Sequence, residues 1–146
     1  MRSLPIPASH LKGAGYISKQ LLNVVPQFTK PTNPLDTGIS VFGNPEAFAG
    51  SAEIFIKEEN LDMVGMALSV SFPKEPSPQG KLISIFGDLQ TKTDKALFLF
   101  CNCAMSFTDW GREFLRKTEV PYISGADRCL RVLDSFVNYQ QKAGFE

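Results

Sequence analysis

Continuous runs of hydrophobic residues alternate with segments of helical periodicity along most of this sequence. Three runs have the length of buried strands, at residues 63–72, 96–103 and 120–123, and a shorter edge strand is expected at 2–7. Each of the three is followed by apolar residues that recur every three or four positions, as on one face of a helix. Strands that are apolar throughout are covered by helices on both faces, as in mainly parallel sheets. The pattern predicts one α/β domain with three layers and a mainly parallel sheet.

Capping residues and helical periodicity predict where the helices between these strands begin and end. Asn44 can cap a helix that runs to about Glu59, and Pro45 suits its first turn because that position needs no N–H donor. Thr108 is the expected cap of a later helix. The remaining helices are expected near residues 18–26, 81–89 and 125–142. The last one carries a single apolar stripe, made of Ala126, Cys129, Leu130, Leu133, Phe136 and Val137.

Composition and charge exclude several classes of function. Lys plus Arg and Asp plus Glu number 15 each, so no net charge attracts nucleic acid or an anionic membrane. No apolar run approaches the roughly 18 residues that span a bilayer. Three cysteines and a single histidine, His10, have no spacing typical of a metal site. The odd number of cysteines and the missing secretory signal favour a reduced, cytoplasmic setting.

Two stretches carry a more specific pattern than an α/β domain requires. The first is Asn33-Pro34-Leu35-Asp36-Thr37-Gly38, which follows a helix ending at Val25-Pro26. The second is the segment 120–139, VPYISGADRCLRVLDSFVNY. Together they resemble NDP-forming acyl-CoA synthetases, in which an Asn-Pro-hydrophobic-Asp element is followed by an Ile-Pro-hydrophobic strand and an arginine-containing helix. Shorter matches at 60–64 and 95–98 lie between them in the same order.

The resemblance implies both a fold and an activity. The family joins a carboxylic acid to coenzyme A while cleaving a nucleoside triphosphate, through acyl phosphate and phosphohistidine intermediates. This chain is similar to the family's flavodoxin-like domain, the counterpart of the carboxyl-terminal domain of the succinyl-CoA synthetase β subunit, without its first strand–helix unit. CoA and an NTP with magnesium are implied for the parent enzyme, and no cofactor is expected on this chain alone. ATP-grasp and CoA-binding domains are the partners that the resemblance implies.

Five residues are candidates for a ligand-binding site: Asn33, Asp36, Thr37, Gly38 and Asn102. Asp36 is expected near the carboxyl end of a strand, where open α/β sheets bind ligands. The same carboxylate can stabilise a turn by accepting backbone N–H groups, and the two roles are compatible. No set of residues forms a self-sufficient catalytic centre, so the isolated chain is expected to be inactive.

Two functions remain open on the sequence. The first is a fragment of a synthetase that contributes to acyl-CoA synthesis only alongside partner domains. The second is a freestanding binding or assembly module that kept the fold and lost the chemistry. We also expect a homodimer, because the absent first strand would leave an unpaired sheet edge and the 12 Phe provide apolar surface for a contact. The alternative is that residues 2–6 pair with the segment near 33–35 and close this gap within one chain.

Overall fold

The sheet has three parallel strands. A computed structural model of the chain describes residues 19–27, 29–69, 77–102 and 108–143. Within them, the strands are β1 (Met63–Ala67), β2 (Ala96–Cys101) and β3 (Tyr122–Ser124), in the spatial order β1-β2-β3. Val64 of β1 lies opposite Leu97 of β2, and Leu99 of β2 lies opposite Tyr122 of β3. The predicted parallel α/β sheet is confirmed.

Helices cover both faces of this sheet. A short 3-10 helix, Gly38–Phe42, precedes the α-helices α1 (Pro45–Lys57), α2 (Pro78–Gln90), α3 (Asp109–Thr118) and α4 (Ala126–Ala143). The crossovers through α2 and α3 advance in the same direction across the sheet, so right-handed connections put both helices on one face. On that face α2 contacts both α1 and α3, whereas α4 packs on β3 and β2 from the other face. The three layers are consistent with a flavodoxin-like fold, as the sequence predicts.

Side-chain caps set the starts of three helices. The side chains of Asn44, Ser77 and Thr108 each accept the backbone N–H of the residue three positions later, at 3.0 Å. The predicted caps Asn44 and Thr108 are therefore confirmed. Because Ser77 caps α2, that helix begins at Pro78 rather than at the predicted residue 81.

The main core lies between the sheet and the layer that contains α2 and α3. Leu97 and Leu99 of β2 are at most 1% exposed there. They share a cluster with Ile83 and Phe86 of α2 and with Phe114 of α3. Among the described strands only β2 has a neighbour on each side, and its alternate side chains Leu97, Leu99 and Cys101 are buried.

Two strands are shorter or shifted relative to their predicted bounds. β1 ends at Ala67 rather than at residue 72, and residues 70–76 lie outside the described part of the chain. β3 begins at Tyr122, two residues later than predicted. The reason is Pro121, which has no N–H for the ladder and contributes only its carbonyl oxygen, bonded to the Leu99 N–H at 2.7 Å.

Residues 33–37 are irregular and Gly38 begins the 3-10 helix, so the prediction that Asp36 lies near the carboxyl end of a strand is wrong. Pro31 and Pro34 each lack the N–H that a sheet ladder needs, and prolines this close together oppose regular pairing. Residues 19–21 are helical, within the helix expected at 18–26. The edge strand predicted at 2–7, together with His10 and Cys103, falls outside the described residues.

Gly87 allows α2 to lie close to the carboxyl end of α3. A β-carbon added there would lie 3.0 Å from the carbonyl oxygen of Thr118, a backbone atom that cannot swing aside. We expect Gly87→Val to destabilise the fold by about 1–3 kcal/mol through overpacking. Helix propensity alone predicts the opposite sign, because Val is slightly better than Gly inside a helix. Urea unfolding measures which effect dominates.

Gly43→Ala is the matched control for this substitution. A β-carbon at Gly43 meets nothing closer than 3.7 Å, so we expect the free energy of unfolding to change by less than about 0.5 kcal/mol. An unchanged or increased stability of Gly87→Val would contradict the close approach of the two helices.

Candidate functional site

A groove of about 490 Å³ lies between the loop at residues 33–38 and the edge of β1 that no described strand pairs with. Helices α1 and α2 contribute side chains to it, and so does Asn102, the residue that follows β2. All five residues predicted as ligand-binding candidates line this one groove: Asn33, Asp36, Thr37, Gly38 and Asn102. The fold therefore brings together positions that are separated by more than sixty residues in the sequence.

The loop that forms one wall of the groove is held by a turn at Asp36. A carboxylate oxygen of Asp36 accepts the N–H of Gly38 at 2.8 Å. Gly38 has φ of 57°, in the left-handed region that glycine adopts without a steric penalty. The Ser40 hydroxyl then donates to the carbonyl oxygen of Thr37 at 2.6 Å and starts the 3-10 helix. One oxygen of Asp36 thus has the turn-stabilising role, and its side chain is exposed to the groove.

The opposite wall is the edge of β1, whose outward-pointing backbone groups have no partner strand among the described residues. The N–H of Leu68 donates to Phe100 of β2 at 2.8 Å. Since successive N–H groups of a strand point to alternate sides, those of Ala67 and Gly65 point away from β2 and toward the groove. Soluble proteins usually protect such an edge with a charge, a proline or a bulge. The sequence of β1, MVGMA, contains neither a charged residue nor a proline.

Apolar side chains of α1 complete the groove, and sequence analysis did not single them out. Phe48, Ser51, Ala52 and Phe55 line it. The signal was present, because these positions are spaced i, i+3, i+4 and i+7 and so share one face of a helix. The Ser51 hydroxyl is satisfied within the helix by donating to Ala47 O at 2.7 Å, which leaves an essentially apolar wall.

The electrostatic character of the groove limits what it can bind. Asp36 is the only charged residue among the described residues that line it. In the same described part of the chain, no group of three or more His, Cys, Asp or Glu is placed to hold a metal ion. Phosphate groups are usually bound by Arg, Lys or helix amino termini. The described walls instead provide apolar surface, neutral polar groups and backbone donors.

The two described cysteines do not add a nucleophile to this site. Cys101 and Cys129 are both buried thiols. Burial raises the pKa of the Cys129 thiol, because the thiolate would lose its hydration. A raised pKa lowers the fraction of thiolate, which is the reactive form. Cys129 therefore has a packing role on the buried side of α4.

Comparison of the sequence with protein-family models and with curated proteins finds no match. Within the described ranges, no helix combines the length and apolar character required to cross a bilayer.

Two substitutions separate the turn role of Asp36 from its charge. Asp36→Ala removes the acceptor of the Gly38 N–H and should lower the free energy of unfolding by about 1 kcal/mol. Asp36→Asn retains a side-chain oxygen at the same place, so we expect it to cost less than half as much. Urea unfolding of both variants provides the comparison. Equal losses would show that the charge, rather than the acceptor, holds the loop.

Proposed function

We propose that this chain is a non-catalytic domain of an NDP-forming acyl-CoA synthetase and acts in the cytoplasm only together with partner domains. Those partners supply the ATP-grasp module, the phosphohistidine and the CoA-binding domain, which hold the NTP with magnesium and the CoA of the parent reaction. The order of the family-like segments 33–38 and 120–139 supports this proposal. A parallel sheet between two layers of helices is the fold that such a domain requires.

The observation that carries the proposal is the groove beside the outer edge of β1, which pairs with no other strand in the described part of the chain. A polypeptide segment laid along it could pair with the N–H groups of Gly65 and Ala67 and cover Phe48 and Phe55 of α1. Such a surface suits contact with another part of a larger protein better than it suits a complete catalytic centre. The domain thus has the features of one component of an assembly.

A freestanding binding or assembly module is the second candidate. The observation in its favour is the charge of the groove, since Asp36 is the only charged residue among its described lining residues. A synthetase domain that takes part in phosphate transfer would gain from positive charge near that path. A module that binds an extended polypeptide needs only apolar surface and backbone donors.

The purified chain alone should form no acyl-CoA when given an acid, CoA and ATP or GTP. A thermal-shift series with CoA, acetyl-CoA, ATP, ADP and phosphate should also show no stabilisation. A ligand at 100 times its dissociation constant would add about 2.7 kcal/mol, which such a series detects readily. Thioester formation by the isolated chain, or a clear shift with CoA or a nucleotide, would contradict the need for partner domains.

Affinity purification of the tagged chain from cells that express it natively separates the two candidates. We expect the wild-type eluate to form acyl-CoA from acid, CoA and ATP or GTP, because the partner domains bind with it. Ala67→Lys places a charge at the groove and should remove this activity from the eluate. Ala96→Lys, at another exposed strand position outside the groove, should retain it. A wild-type eluate without the activity would favour the assembly module.

A further inference from the structure

The sheet sets the conformation of any polypeptide that binds in the candidate groove. The backbone N–H and C=O groups of Met63, Gly65 and Ala67 point away from β2, because the next N–H along the chain, that of Leu68, is bonded to β2. All three residues line the groove, and no described strand pairs with β1 on this side. From its first residue to its last, β1 measures about 13 Å at roughly 3.3 Å per residue. A segment that pairs along it is therefore extended and about five residues long.

The two faces of the sheet differ in what they offer to the side chains of such a segment. Alternate residues of a strand point to opposite faces. Toward the helices, the groove is lined by Phe48 and Phe55 of α1 and by Phe86 of α2. The ring centroids of Phe48 and Phe86 lie 6.3 Å apart, so these rings form one apolar surface. On the other face, Gly65 and Ala67 of β1 are exposed. The groove therefore favours apolar residues at every second position, with polar residues accepted between them.

Asp36 determines the charge that the segment must carry. One of its carboxylate oxygens accepts the Gly38 N–H at 2.8 Å, and within the described part of the chain no basic side chain pairs with it. Its side chain is exposed, so water now solvates the negative charge. A segment that covers the groove displaces some of this water, and a carboxylate that loses water without gaining a partner is costly. A basic side chain on the segment offsets that cost, whereas an acidic one increases it.

We propose that the groove binds an extended segment of a partner polypeptide, with apolar residues at alternate positions and one Lys or Arg paired with Asp36. Main-chain bonds to the edge of β1 supply affinity that does not depend on sequence, and the side chains supply selectivity. The aliphatic stem of Lys or Arg packs on the apolar wall while its charged end meets the carboxylate. This inference rests on the proposed function, since it specifies the segment by which a partner contacts the domain.

A set of blocked peptides of about seven residues tests the proposal on the full chain. The peptides alternate Val and Thr and differ only at the central position, which is Arg, Gln or Glu. Fluorescence anisotropy at low salt measures their dissociation constants. We expect the Arg peptide to bind at least about tenfold more tightly than the Gln peptide, and the Glu peptide to bind most weakly, because only Arg brings a charge opposite to that of Asp36.

Asp36→Asn is the variant that isolates the charge. It keeps a side-chain oxygen for the Gly38 N–H, so the loop retains its turn while the preference for Arg over Gln should fall below about twofold. Asp94→Asn makes the same change at an exposed carboxylate outside the groove and should leave the preference intact. Circular dichroism verifies that both variants are folded. Saturation with the Arg peptide should also slow amide exchange of Gly65 and Ala67 by at least about tenfold, because the peptide pairs with their N–H groups.

Several outcomes would overturn the proposal. These are no binding of any of the peptides, equal affinities for the Arg and Glu peptides, a preference that survives Asp36→Asn, and binding that leaves Gly65 and Ala67 unprotected. Protection of those two N–H groups before peptide is added would mean that the chain covers its own edge, or that a second copy does so if sedimentation equilibrium shows a species above 16.1 kDa. Failure of the proposed function is distinguishable, because an eluate that forms no acyl-CoA leaves these affinities unchanged.

Discussion

The packing of one face of β2 against α2 is the interaction on which the rest of the structure depends. Leu97 and Leu99 meet Ile83 and Phe86, and all four side chains are at most 1% exposed. β2 also holds the other two strands in register, since β1 and β3 each pair with it. Truncation of one such buried leucine to Ala costs about 2–5 kcal/mol, a large part of the stability of a domain this size. The order of the sheet and the positions of its helices follow from this central strand.

Side chains are most buried on β2 and more exposed on β1, and the candidate groove lies beside β1. β1 is paired on one side only among the described residues, and its Gly65 and Ala67 are exposed. The groove with its polar candidates lies at the edge of β1. Its apolar wall and backbone donors suit contact with another polypeptide, which is why the proposed function is based on contacts rather than on catalysis.

The elements that sequence analysis predicted well are those whose signals are local. Three apolar runs became three parallel strands, and the caps Asn44 and Thr108 begin helices because a side-chain oxygen satisfies a nearby N–H. The strand end expected near Asp36 was wrong, because Pro31 and Pro34 oppose the regular pairing that a strand needs. The apolar wall formed by Phe48 and Phe55 was missed, since burial in a groove depends on the opposite wall. Periodicity also indicated which side of α4 is apolar, but not how much of it the sheet covers.

Amide hydrogen exchange on the dilute, monomeric chain is the most direct test of the strand pairing. In the described part of the chain, β2 is paired on both sides and β1 on one side only. The N–H of Leu99 is bonded to Pro121 of the neighbouring segment and lies in the core, so it should exchange only through global unfolding. The N–H groups of Gly65 and Ala67 should exchange at least about 100-fold faster, because they point to the edge of β1 that no described strand pairs with. Protection of Gly65 and Ala67 equal to that of Leu99 would contradict the open edge and, with it, the need for a partner at this edge.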